Sequence, residues 1–317
     1  MLRRQNFGAR LLALILRLLG AAALVLAFAA RVPADAHVVC GNRVFPATLT
    51  MDDPGVGDEL SLPTLQYTPT PAGGQNLVYA YEWDKTITRD LGIAINGDYI
   101  TQSSRSTGSL NGWDNLTITL KDEHPCNEDH EVVWSMGVIR LLPGTGSTQL
   151  RDSGAIASVG STAPTFYIGK GFGDSHSDFL RPFALTGEVS YGFSDSPSVS
   201  PNAIAYAASL QYSFPYQQQH VKALKLPGFI SRLVPLVEVS MTSPRTGPTT
   251  GTIAPGFFYW DKAYNWQLGV EAIVPANYAT RRIQHTGVLV QFHLFLDDFA
   301  YKTFFGKPMI NKDLWGK

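Results

Sequence analysis

Beyond residue 36 the chain has no apolar run near the roughly 18 residues that a membrane-crossing helix needs. This argues against a polytopic helical membrane protein. Charge is also scarce: Asp, Glu, Lys and Arg make up 16% of the chain, against about 25% in ordinary soluble domains. Many polar positions are therefore Ser, Thr, Asn, Gln and Gly. There is no basic excess either. The 25 basic and 26 acidic residues fall to 20 and 25 once Arg3, Arg4, Arg10, Arg17, Arg31 and Asp35 of the first 36 are set aside, a net charge of −5. Such a chain has no general attraction for nucleic acid, and no nucleic-acid partner is expected. Cysteine is nearly absent, with only Cys40 and Cys126.

The same scarcity bears on chemistry. Lipases and deacylases built on membrane barrels need His-x-Ser on one strand, the spacing that puts both side chains on one face. None of the seven histidines has a serine two residues later, and His176-Ser177 would face opposite ways. His124, Cys126 and His130 share a loop but match no zinc spacing. An N-terminal His37 exposed by processing is too weak a signal for copper. No catalytic residue, metal or cofactor is assigned, and the chain is not expected to be an enzyme.

Export is written at the start. Arg3, Arg4 and Arg10 form a basic region, Leu11 to Ala30 is apolar apart from Arg17, and Ala34-Asp35-Ala36 is a small-x-small cleavage site. Residues 1–36 read as a secretory signal peptide, with an uncleaved N-terminal anchor as the rival. In an exported protein the two cysteines most simply form a Cys40–Cys126 disulfide. Val39 before Cys40 argues against lipid attachment there, since a small residue is expected at that position.

From Leu91 onward, apolar and polar residues alternate with a period of two. Phe183/Leu185/Gly187/Val189/Tyr191/Phe193 interleave with Ala184/Thr186/Glu188/Ser190. Trp266/Leu268/Val270/Ala272/Val274 interleave with Gln267/Gly269/Glu271, and Val288/Val290/Phe292/Leu294 with Gln291/His293. A soluble sandwich would bury the apolar face, whereas a transmembrane barrel turns it to lipid and lets the polar face line a lumen. Strands are predicted at 59–68, 76–87, 91–103, 113–122, 131–141, 165–173, 183–194, 203–215, 232–243, 251–260, 264–276 and 285–297. The expected fold is an all-β transmembrane antiparallel barrel of about twelve strands in a bacterial outer membrane, with membrane lipid around it.

An even count returns the chain to the periplasmic side. Residues 37–58, lacking alternation, are a periplasmic or plug segment; 59–297 form the barrel; 298–317 form a periplasmic tail. The 142–164 connection is a second candidate for partly closing the bore. The long Gln217–Arg232 link, with a short helix suggested by Val221/Leu224/Leu226, and the tail are where a periplasmic protein would dock. Trp83, Trp134, Tyr216 and Trp266 are assigned to the periplasmic aromatic girdle, and Tyr99, Trp113, Tyr191, Tyr206 and Tyr278 to the outer one.

The inward set predicted by alternation is Glu82, Asp98, Lys121, Glu188, Glu238, Glu271, Gln291 and His293, with Arg140 and Lys170 on poorly alternating strands. A carboxylate pointing to lipid at mid-membrane would cost a few kcal/mol, so these face the lumen. Two readings stand. The carboxylates form an acidic, cation-favouring bore, or they pair with Lys121, Arg140 and Lys170 in a network that fills it.

Several motifs resemble one family. Asp53-Pro54-Gly55-Val56-Gly57-Asp58-Glu59-Leu60, Tyr167-Ile168-Gly169-Lys170-Gly171-Phe172-Gly173-Asp174, Leu180-Arg181-Pro182-Phe183-Ala184, Gln291-Phe292-His293-Leu294-Phe295 and Phe305-Gly306-Lys307-Pro308 are similar to the outer-membrane barrel family named after the meta-pathway of phenol degradation. That resemblance implies a transporter of hydrophobic or aromatic compounds. Together the readings predict an outer-membrane channel or transporter for small molecules, aromatic compounds or cations, with a closed structural or docking barrel as the alternative.

Overall fold

The computed structural model describes residues 38–104, 108–261 and 266–296. The predicted signal peptide and the predicted tail lie outside the described residues.

A hairpin of β1 (Val38–Cys40) and β2 (Arg43–Phe45) opens the described chain. The wall follows as β3 (Glu59–Pro69), β4 (Gln75–Thr86), β5 (Leu91–Ser104), β6 (Gly108–Trp113), β7 (Thr117–Asn127), β8 (Val132–Leu141), β9 (Ser161–Gly171), β10 (Phe183–Ser194), β11 (Ala203–Tyr212), β12 (Leu233–Pro244), β13 (Thr250–Trp260), β14 (Trp266–Pro275) and β15 (Gly287–Phe295). Each pairs antiparallel with its neighbours, and β15 pairs with β3 to close the ring. The outer half of β5, Tyr99–Ser104, pairs with β6, and its inner half, Leu91–Asn96, pairs with β7. β6 and β7 are therefore one stave interrupted at 114–116, and the barrel has twelve staves. Closure satisfies the strand backbone internally, which a hydrocarbon environment demands.

The twelve predicted strands coincide with these staves to within a few residues. The fourth departs most. It begins at Gly108 rather than 113, because the ladder between β5 and β6 runs from Tyr99 opposite Trp113 out to Ser104 opposite Gly108. At the closing seam, Ser61 lies opposite His293 and Thr64 opposite Gln291, so β3 carries an extra residue. The bulge puts Leu62 on the exterior and leaves Ser61 and Thr64 facing inward.

Burial follows the alternation. Val189, Leu210 and Val237 are 46%, 48% and 43% exposed, whereas Thr186, Ser209 and Glu238, on the opposite phase of the same staves, are 1% exposed or less. The apolar set is outside, as lipid contact requires. One end, shared by the N-terminal hairpin, carries an aromatic series. Phe179 meets Phe183 at 5.5 Å, Phe183 meets Tyr212 at 4.9 Å, Tyr259 meets Trp266 at 5.9 Å and Trp266 meets Phe292 at 5.8 Å between ring centroids. At the other end Tyr99 and Trp113 meet at 5.3 Å. Tyr216 does not belong to this belt: it is 5% exposed and lies in a polar network described below.

Two of the connections that carry short helices bear on the bore. In the 213–232 link the helical turns span Phe214–Tyr216 and Gln217–Val221, capped by Ser213, which accepts from the Tyr216 N–H. They end before the Leu224/Leu226 pattern that suggested a helix. In the 142–160 loop, the helix Thr148–Asp152 brings Leu150 against Ile100 and Ile156, a fully buried cluster on the inner face of β4–β6.

Candidate functional site

The site is the inside of the ring. The segment 46–58 has no regular structure, so its backbone groups need partners, and wall side chains supply several. On β14, Gln267 Nε2 donates to the Ala47 carbonyl at 2.9 Å. On β12, a Glu238 carboxylate oxygen accepts from the Thr50 N–H at 2.8 Å and from the Thr50 hydroxyl. On β7, Lys121 Nζ donates to the Asp53 carbonyl at 3.0 Å and pairs with Asp52 at 2.7 Å. Glu123 accepts from the Val56 N–H at 2.9 Å. On β4, the Thr86 N–H donates to Asp58 at 2.7 Å, and Lys85 pairs with the same carboxylate. These partners stand on well-separated sectors of the ring, so the segment crosses the bore.

Apolar contacts follow the same path. Leu49 packs on Ala254, Ile273 and Leu289, and Val44 on Val234, Leu236, Phe258, Trp260 and Phe295. The inner face is therefore apolar towards the N-terminal end, where alternation suggested small, polar or charged residues. Two wall glycines make room. A Cβ on Gly169 would meet Pro54 at 2.9 Å and Phe45 at 3.0 Å, and one on Gly269 would meet Leu49 at 2.6 Å.

At that end the Arg43 guanidinium is 1% exposed. It donates to Glu131 at 3.2 Å, to the Pro182 carbonyl at 3.2 Å and to the Arg181 carbonyl, and its centre lies 3.7 Å from the Tyr216 ring centroid. The Tyr216 hydroxyl and the Gly173 N–H complete the Glu131 carboxylate at 2.8 and 3.0 Å. A buried pair with every polar group engaged holds geometry firmly, since removing either partner strands the other charge.

The structure distributes the predicted inward residues unevenly. Glu238 holds Thr50, while both carboxylate oxygens of Glu271 are buried without a hydrogen-bond partner among the described residues. Lys121 holds Asp52 and Asp53. His293 accepts or donates at Nδ1 to Ser61 Oγ at 2.7 Å, and its Nε2 stands 2.7 Å from Glu59. Gln291 Nε2 donates to Thr64 at 3.2 Å. Glu82, Asp98 and Glu188 line a cavity of about 340 Å³ beside residues 47–52. Arg140 and Lys170 are corrected: both lie on the outward phase. Arg140 forms a paired contact with Asp195 at 2.7 Å, and Lys170 binds Asp174 at 2.9 Å, beyond the stave ends.

The expected Cys40–Cys126 disulfide is also corrected. The fold brings the residues into one cluster, but both are free thiols. Cys40 Sγ lies 3.4 Å from the Asn127 carbonyl and 3.6 Å from that of Val132, and burial pushes its pKa up, which suppresses the thiolate that exchange needs.

Sequence reasoning missed Arg43, Asp58, Glu59, Ser61, Glu123 and Glu131. Glu59 and Ser61 share the inward phase of β3, a signal that the Pro63 beside the bulge obscured. Arg43 lies on the three-residue strand β2 and Glu131 in the turn before β8, stretches too short for periodicity to mark a face.

No family profile matches the chain, and no curated protein matches it. Solved structures do. The COG4313 outer membrane channel from Pseudomonas putida F1 superposes with a TM-score of 0.51 at 13% identity, covering 80% of this chain and 99% of that one. The KdgM porin gives 0.41 at 11% identity, covering 74% and 98%. LpxR from Salmonella typhimurium gives 0.41 at 8% identity, covering 75% and 99%. The closed ring, its apolar exterior and the first of these likenesses define a transmembrane β-barrel of the outer-membrane type, surrounded by lipid in a bacterial outer membrane.

Proposed function

We propose that the protein is an outer-membrane channel for small molecules in which residues 38–58 act as a resident plug. The observation that carries this reading is the set of side-chain bonds from Gln267, Glu238, Lys121 and Glu123 to one irregular segment inside the ring. A barrel meant only as a scaffold has no need of a cavity of about 340 Å³ above such a segment. Twelve staves leave a bore between that of a side-chain-filled eight-strand barrel and an open porin, so a segment is required to restrict it. The helix at Thr148–Asp152 narrows the opposite end in the same way. The motifs shared with the meta-pathway of phenol degradation family support a transport role. The carboxylates beside the cavity support a positively charged cargo over an aromatic hydrocarbon.

The test is single-channel recording of the refolded mature chain and of a chain lacking residues 38–58. Small or infrequent cation-selective steps in the first and larger steps in the second are expected. Silence from both, with the barrel shown to be folded by heat-modifiable gel mobility, would overturn the channel and leave a closed structural barrel.

A further inference from the structure

The cavity beside residues 47–52 has an unusual balance of hydrogen-bonding groups. Asp52, Glu82, Asp98 and Glu188 line it, and no Lys, Arg or His does. Asp52 is neutralised by Lys121 at 2.7 Å. The side chains of Glu82, Asp98 and Glu188 have no basic group within ion-pairing distance among the described residues. All three come from inward positions on different staves, β4, β5 and β10. Their negative charge therefore converges from several sides.

The neutral lining shows the same deficit. Gln291 is 7% exposed, and its Nε2 is used on Thr64, yet its Oε1 accepts nothing. Asn96 Oδ1, on β5 between Ala94 and Asp98 of the same face, is also without a donor. Buried acceptors of this kind are normally satisfied. The cavity therefore presents unpartnered acceptors and no cationic donor; the donors on its wall are neutral hydroxyls and amides such as those of Tyr167, Thr119 and Asn96.

A bare divalent ion does not answer this arrangement. No group of three His, Cys, Asp or Glu side chains among the described residues is close enough to hold a metal. The acceptors are instead spread around a space in the range of pockets that take small organic ligands, about 300–1,000 Å³. We infer that this cavity is a binding site for a small organic cation carrying more than one ammonium group, with Glu82, Asp98 and Glu188 taking the charges and Gln291 and Asn96 accepting the remaining N–H donors. This names the cargo class of the channel proposed above and rests on that reading for transport, though not for binding.

Calorimetric titration of the full mature barrel in detergent, at physiological ionic strength, tests it with three probes: a linear diamine (putrescine), the uncharged diol of the same length, and phenol. Saturable binding of the diamine alone is expected, weakened at least tenfold by the combined Glu82→Gln, Asp98→Asn and Glu188→Gln changes and measurably by Asp98→Asn alone. The single variant covers failure of the triple one to fold, which heat-modifiable mobility reports. No diamine binding, equal binding of diamine and diol, binding of phenol instead, or an unchanged affinity in folded variants would overturn the inference. Diamine binding by a barrel that never conducts would overturn the channel and leave the site standing; conduction without diamine binding would do the reverse.

Discussion

Lys121 Nζ stands 2.7 Å from a carboxylate oxygen of Asp52 and 3.0 Å from the carbonyl of Asp53, joining stave β7 to the segment that crosses the bore. It is a buried cation whose partners both come from the plug. Removing it leaves Asp52 without its counter-charge and the Asp53 carbonyl without its donor; breaking a buried pair in this way costs up to about 3–5 kcal/mol. Lys121→Met is expected to unseat the segment and raise conductance towards that of the chain lacking residues 38–58. Lys121→Arg is expected to retain most of the closure. Identical recordings from Lys121→Met and the native chain would show that the ion pair does not hold the segment.

Asp53 gives that seat a pH dependence. Burial raises its carboxyl to about 8 against the ordinary 3.8, with Lys121 pulling the other way and Glu59 and Asp52 adding to the rise. A raised carboxyl binds its proton more tightly in the seated segment than in the freed one. Seating is therefore fully favoured below the free value and weakens as pH rises from about 4 towards 8. Open probability should climb over that range, and Asp53→Asn should flatten the part of the climb that this group causes. A profile unchanged by the substitution would assign the dependence to other carboxylates.

Gly269 sits where Leu49 presses on the wall, with a Cβ there coming within 2.6 Å of the leucine. Gly269→Phe is expected to displace Leu49 and increase protease cleavage within 46–58 in the folded barrel. The stave should survive, since an aromatic residue suits a strand. A cleavage rate equal to that of the native chain would mean the segment is held without this contact.

Cys40 and Cys126 are free thiols in one cluster, and Cys40 Sγ faces the carbonyls of Asn127 and Val132. Burial raises the Cys40 pKa, which suppresses the thiolate that disulfide formation needs. Mild oxidation of the folded barrel is expected to leave the two unlinked. Thiol alkylation followed by mass spectrometry reads the outcome, with Cys126→Ser as the control. Loss of both alkylated thiols in the native chain would show that the pair reaches bonding geometry.

The lipid face can be tested in the middle of β12. Val239 is 38% exposed and outward, while Ser240 takes the inward phase. Val239→Arg should destabilise the barrel in vesicles by about 2–4 kcal/mol. Ser240→Arg, facing the bore, should cost clearly less. Equal losses in unfolding titrations would contradict the assignment of faces.

The staves were legible because the information is local and repeated. Two residues of strand define two faces, and in β10, β14 and β15 the lipid-facing set is almost uninterrupted. Even Lys121, Glu238 and Glu271 were placed inward from their neighbours alone. Arg140 and Lys170 were misplaced because they lie near stave ends, where a long side chain on the outward phase can reach water and a carboxylate. Tyr216 was misread because a ring at a strand end looks like a girdle residue until Arg43, far away in sequence, is found against it.

By itself the sequence determined the twelve-stave alternation and the lipid-facing exterior, because a period of two and the cost of burying charge in hydrocarbon act residue by residue. Only the tertiary structure decided that Thr50 meets Glu238, that Ser61 meets His293 across the closing seam, that Cys40 satisfies itself on carbonyls beside Cys126, and that Glu82, Asp98 and Glu188 are left without cations. Those outcomes depend on an irregular segment folding through a closed ring, and no periodicity along the chain encodes which wall residues it will touch.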